Sequence, residues 1–224
     1  MKNKLLLTGT LLSIALLTAA PQFVKAETSA ATVSFTGDDS TPTKPIDPTN
    51  PDNPTPTDPT DPGDPDNPGT GSAGPLSLDY VSNFDFGSNK ISSTTQTYTA
   101  KAEQPRIQVT DKRGTGAGWE VQATISTIKT SDEDVLAGAN LKLANKSVVT
   151  NSQNTSTAPV ATDITLSSSP KTVFKADKDA GLGTWLDNFD KSASVLTVYG
   201  GTAKAKTYNA TITWTLTSGP TATE

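Results

Sequence analysis

In two stretches of the chain, apolar and polar positions alternate one by one. Trp119, Val121, Ala123 and Ile125 hold the odd positions, and Glu120, Gln122, Thr124 and Ser126 the even ones. The pattern returns near the end: Tyr208, Ala210, Ile212, Trp214 and Leu216 on one side, Thr207, Asn209, Thr211, Thr213, Thr215 and Thr217 on the other. Successive side chains of an extended strand point to opposite faces, so each run predicts a half-buried strand with one wet, Thr-rich face. Shorter strands are predicted over 76–80, 96–100, 106–110, 139–143, 163–166, 172–175 and 195–199, with turn residues such as Gly114-Thr115-Gly116-Ala117-Gly118 and Gly200-Gly201 between them. One short helix is expected over 131–137, where Ser131 would cap and Asp132, Glu133 and Asp134 suit a helix start. Many short strands and almost no helix point to an all-β fold, an antiparallel β-sandwich or barrel-like domain with little helix.

The first 75 residues depart from this pattern. Lys2 and Lys4 precede an apolar run over 5–20, and Val24-Lys25-Ala26 offers small residues where a signal peptidase reads, so 1–26 is expected to be a signal peptide cut after Ala26. No second apolar span comes after it, and no apolar tail with a basic cluster ends the chain; the expectation is an exported protein without a built-in anchor. Residues 27–75 hold 11 of the 16 prolines, mostly in steps of three, interleaved with Asp, Thr and Asn. Polyproline II has three residues per turn, so this segment is expected to be a disordered or extended, acidic Pro-Asp-rich linker that acts as a spacer. Calcium collection by its aspartates is the less favoured reading, because an extended chain does not fold carboxylates around one ion. Residues 76–224 remain as one domain.

Composition narrows the chemistry. The 224 residues include neither Cys nor His, which excludes disulfides, thiolate nucleophiles, Cys-ligated metals and a lipid-attached cysteine, and removes the usual neutral-pH general base. Net charge is −5, and the excess acid lies in the linker, since from Leu76 onward 14 basic residues match 14 acidic ones. No basic excess is left for neutralising phosphates, so a nucleic-acid partner is not expected. The acidic groups Asp132/Glu133/Asp134 and Asp177/Asp179 could in principle serve a metal or a two-carboxylate glycosidase, yet they sit beside lysines or at an expected helix start and read first as solvated loops. Trp119 and Trp214 fall in phase with aliphatic neighbours and read as core before ligand contact. Trp185 comes after Gly181 and Gly183 without period-two order, and a surface recognition role is equally open there.

The run from Tyr208 to Pro220 reads Tyr, three residues, an aliphatic, then Thr213-Trp214-any-Leu216, three residues and Pro220. It resembles the signature of the WxL domain, a C-terminal cell-surface module of low-GC Gram-positive bacteria. The more N-terminal Trp motif of that family is similar to Trp119-Glu120-Val121, with Val121 where Leu is usual. Further similarity at Gly74 to Tyr80, Gly181 to Trp185 and Leu196 to Ala203 extends the resemblance over 75–220. It implies a small WxL protein attached non-covalently to the cell wall, chiefly peptidoglycan, and assembled with companion WxL and membrane-anchored surface proteins. The implied wall- or partner-binding motif is Trp119, Val121, Tyr208, Thr213, Trp214, Leu216 and Pro220, with no catalytic residue, metal or cofactor. Two other functions are weighed against it: an adhesin for host extracellular matrix such as collagen or fibronectin, and a wall-active glycosidase.

Overall fold

A computed structural model describes residues 27–37, 41–53 and 61–219; the expected signal peptide and Pro220 lie outside the described residues. The chain divides into a unit over 1–35, of which the described residues 27–35 form no strand or helix and are exposed, and a unit over 36–224. The sheets, the core and the docked part of the linker all belong to the second unit.

Three antiparallel four-stranded sheets surround one core. The first has the order β1 (Leu76–Val81), β3 (Arg106–Asp111), β10 (Gly183–Phe189), β6 (Asn145–Val149). The second runs β2 (Gln96–Thr99), β11 (Val195–Val198), β5 (Asn140–Leu143), β8 (Ile164–Thr165). The third runs β12 (Ile212–Ser218), β4 (Trp119–Ile125), β9 (Lys171–Ala176), β7 (Val160–Ala161). Each sheet turns one apolar face inward: Ile107, Val109, Trp185 and Phe189 from the first, Leu141, Leu143 and Ile164 from the second, Trp119, Val121, Ala123 and Phe174 from the third. Burying those faces together is what makes the alternation of the sequence stable as sheet. Arg113 ties the ends of two sheets: its Nε and Nη2 donate to the Asp111 carboxylate at 2.9 and 2.7 Å, Nη2 also reaches the Gly118 carbonyl at 2.6 Å, and Nη1 donates to Ser218 Oγ.

No helix occurs among the described residues, so the expectation over 131–137 is corrected. The segment is a tight loop closed by a bridge between Lys129 and Val135. Thr130 Oγ1 accepts from the Asp132 and Asp134 amides, and Glu133 turns to φ 65°, which ends any helical path. Seven residues before Gly138 are too few to offset helix nucleation when a hairpin offers pairing instead. The even positions of β4 also differ from a wholly wet face: β4 is central in its sheet, and Glu120 is buried with the Thr172 hydroxyl donating to it.

The linker has no strand or helix among its described residues, as its proline spacing predicts, but those residues from 41 onward lie against the domain. Pro45 and Pro48 are buried. The Ile46 amide donates to Gln108 Oε1 at 2.8 Å and Gln108 Nε2 donates to the Lys44 carbonyl at 3.1 Å, so the linker covers the outer face of β3. The second contact is the turn Asp61-Pro62-Gly63-Asp64. Asp61, only 2% exposed, accepts from the Glu103 and Gln104 amides at 2.7 Å each and from Gly63 at 2.8 Å. Gly63 has no alternative there, because a Cβ would sit 1.8 Å from the Lys101 carbonyl oxygen. Asp64 accepts from the backbone and side-chain nitrogens of Asn83 at 2.9 Å and from Asn67 Nδ2 at 2.7 Å. An Asp at the first turn position and Pro at the second favour this geometry locally, and the buried amides of 103–104 fix it in place.

Candidate functional site

The two Trp motifs lie on neighbouring strands. In the β4–β12 ladder Val121 stands opposite Leu216, Ala123 opposite Trp214, and Trp119 opposite Ser218. Each indole therefore faces a small residue on the other strand, which leaves it room to lean inward. Trp119 is 0% exposed, donates from Nε1 to the Gly181 carbonyl at 3.0 Å, and meets Phe174 edge-on with centroids 4.9 Å apart. Gly181, at φ 69°, must be glycine, since a Cβ would lie 2.8 Å from that indole nitrogen. Trp214 is half-buried, its ring stacked on Phe189 at 6.4 Å and 23°. Val121 is fully buried and Leu216 half-buried, while Thr213 points to solvent. Half-buried Tyr208 accepts from the Lys204 amide through its hydroxyl at 2.9 Å, which fixes the loop before β12.

Trp185 is not a surface aromatic. It lies on β10, 4% exposed, and its Nε1 donates to the Leu182 carbonyl at 2.9 Å. The glycines that suggest a loop sit before the strand and at its first residue, and the strand's own alternation is hidden because Leu186 and Asp187 are buried on opposite faces. The acidic groups are loops held by lysines: Lys204 reaches Asp134 at 2.5 Å, Lys206 reaches Asp132 at 3.2 Å and Asp134 at 2.5 Å, and Lys129 reaches Glu133 at 2.5 Å. The hydrogen bonds from Lys204 and Lys206 hold the Asp134 carboxyl down to about 2. Lys175 pairs with Asp177 at 3.1 Å. Among the described residues, no three Asp or Glu side chains gather where a metal could be held.

Two polar features escape the sequence reading. Asp187, 0% exposed, faces the core with Asn145 Nδ2 donating to its Oδ1 at 2.5 Å and no partner at Oδ2. Burial pushes its carboxyl up to about 7 against that hydrogen bond, and the charge of Asp163 adds to the rise. Asp79 is likewise raised by burial, although Ser77, Thr110 and Gln108 donate to it at 2.5, 2.6 and 2.9 Å. On the same sheet opens a cleft of about 520 Å³ between Pro48 and Thr49 of the linker, the 103–105 loop, and the outer side of β6 and β10 at Ser147 and Asn188. The period-two pattern carries no sign of it, because it joins segments some 40 to 140 residues apart in the chain.

The geometry thus makes the Trp motifs the seam of one sheet, and it places polar groups on the face under the linker. A family model described as WxL domain, surface cell wall-binding, matches residues 22–220. No curated protein and no solved structure gives a significant match. The match takes in the linker that packs on β3 as well as both Trp motifs, and the chain belongs to the WxL domain family of surface, cell wall-binding proteins.

Proposed function

We propose that this chain is an exported, non-enzymatic surface protein that holds to peptidoglycan without a covalent link and assembles there with companion WxL and membrane-anchored proteins. The observation that carries the reading is the family match over 22–220, which leaves little of the chain for any other activity. The fold is in keeping with it: Trp119 and Val121 of the motif, and Trp185, are buried in the core and build a sheet scaffold whose outer faces and loops are left for contact with the wall. The acidic loops support the absence of catalysis, since Asp132, Glu133, Asp134 and Asp177 are each paired with a lysine. The test is co-sedimentation of purified residues 27–224 with peptidoglycan stripped of its secondary polymers, beside capture of partners from surface extract. Wall binding with retained companions is the expected result. A protein that stays in the supernatant and captures no surface protein would contradict the reading, as would turnover of wall polymer abolished by Asp177→Asn or Glu133→Gln.

A further inference from the structure

The cleft beside the linker is concave, with walls part apolar and part polar, and it lies apart from the lysine-held loop of Asp132, Glu133 and Asp134. Its volume of about 520 Å³ is that of sites which take a small molecule or a short stretch of polymer. Its charges cancel. Lys191 pairs with Glu103 at 2.7 Å, and Asp190, held below its ordinary value by hydrogen bonds from Ser192, also feels the charge of Lys146. Its two lysines, Lys146 and Lys191, are matched in number by Glu103 and Asp190, so a polyanion meets no net positive charge there, whereas Thr49, Ser147, Asn188 and Ser192 offer hydroxyl and amide groups to a neutral ligand. Pro105 and Val149 add apolar surface for ring C–H and methyl groups.

Asn188 gives the sharpest signal. Its Oδ1 is buried and accepts no hydrogen bond within the chain, an unfavourable state for a carbonyl. The amide is held only by a long contact, Nδ2 to Ser147 Oγ at 3.4 Å, and the terminal torsion of an Asn side chain is soft. Asn188 lines the cleft, and rotation about that soft torsion is the movement that would bring its carbonyl to a ligand N–H there. We propose that this cleft is the glycan-docking site of the molecule and takes a neutral, N-acetylated segment of about two sugar rings, with Pro48 and Thr49 of the linker as one wall. The acetamido N–H answers Asn188, and its methyl rests on the apolar surface. This inference rests on the wall-binding reading and adds where the wall polymer sits and which of its groups is read.

The test uses residues 27–224 and three soluble probes: a β-1,4-linked N-acetylglucosamine tetramer, its de-N-acetylated counterpart and a glycerol phosphate polymer. Binding is measured by calorimetry and by amide chemical shifts, and in parallel by sedimentation with isolated walls. The acetylated tetramer is expected to bind and to compete with walls, the other two at least about tenfold more weakly, in line with the loss of one buried hydrogen bond. Asn188→Ala should lower affinity by a similar factor. Ser192→Trp, on an exposed turn at the rim, should block the cleft at unchanged Tm and keeps the test readable if the strand variant loses stability. Parent-like sugar binding by both variants would overturn the site. Tighter binding of the phosphate polymer would overturn the ligand class. Wall sedimentation that the tetramer does not compete with, and that both variants retain, would remove the cleft and leave wall binding standing. A parent that ignores walls and sugar alike would remove both.

Discussion

At the scale of single residues, the motif tryptophans differ in how much of the fold rests on each. Trp119→Ala deletes a fully buried ring, its contact on Phe174 and the donor to Gly181, and the expected loss is ~4 kcal/mol, in the range for large aromatics deleted from cores. Trp214→Ala removes a half-buried ring and should cost roughly 2 kcal/mol, because part of its surface is already wet. Chemical denaturation of both variants checks the order; equal losses would contradict the difference in burial. Asp187 gives the molecule a pH dependence of definite sign. Its carboxyl stands near 7 in the folded chain against an ordinary 3.8, so the folded state binds the proton more tightly. The stability from this group is fully present below about pH 4 and is lost as pH rises through 7, on the order of 4 kcal/mol in all. Asp79, also raised by burial, acts in the same direction, whereas Asp134, held at about 2, titrates below this window. Asp187→Asn should therefore flatten much of the fall in Tm between pH 4 and 7. A variant whose Tm tracks the parent's at every pH would show that Asp187 does not carry the effect. The sequence pattern hides this group, since the alternation that marks a strand does not reveal an acid facing the core.

At the scale of elements, legibility tracked the wetness of the strand. β4 and β12 were readable because apolar and polar residues alternate on them, and the register then paired the two motifs, Val121 against Leu216. β10 does not stand out in the sequence because both of its faces are covered, by the core at Trp185 and Phe189 and by the sheet's outer layer at Leu186, and a strand covered on both sides loses its alternation. Two-residue β7 and polar β6 lie at sheet edges and carry too few apolar positions to announce themselves. The linker's acidity is legible in its sequence, but its turns and its docking are not: Asp61 looks like every other aspartate of the repeat until Glu103 and Gln104 present bare amides to it. The one local sign is Gly63, which replaces the bulkier residues found between the other Asp-Pro steps. Asp61→Ala should cost ~2–3 kcal/mol by leaving those buried amides unpaired. Hydrogen exchange at Glu103 and Gln104 should accelerate, and limited proteolysis should reach the linker first. Unchanged exchange at both amides would mean that the turn does not dock in solution.

For the whole molecule, the split of charge along the chain acquires a structural meaning. An acidic linker and a charge-balanced domain would repel little, and the linker brings its carboxylates to backbone amides and near the buried guanidinium of the sheet's outer face. That guanidinium, Arg106, is fully buried, lies 4.2 Å from the Tyr80 ring centroid, and feels Asp61, Asp47 and Asp64, while burial pulls its pKa down. Remove the linker, and Arg106, Gln108 and Asp79 lose the cover that dries them. The domain beginning at Leu76 should then keep its three sheets, because the shared core of Trp119, Trp185 and Phe174 lies on their inner faces. It should nonetheless be weaker by on the order of 3 kcal/mol, or roughly 6–12 °C in Tm for a chain of this size. Binding separates this loss from a merely structural one. Pro48 and Thr49 form one wall of the cleft, so residues 76–224 should bind the acetylated sugar weakly even at a temperature where they are fully folded. A folded, truncated domain with undiminished sugar affinity would make the linker a cover and nothing more; a loss of affinity without a loss of fold makes it part of the site.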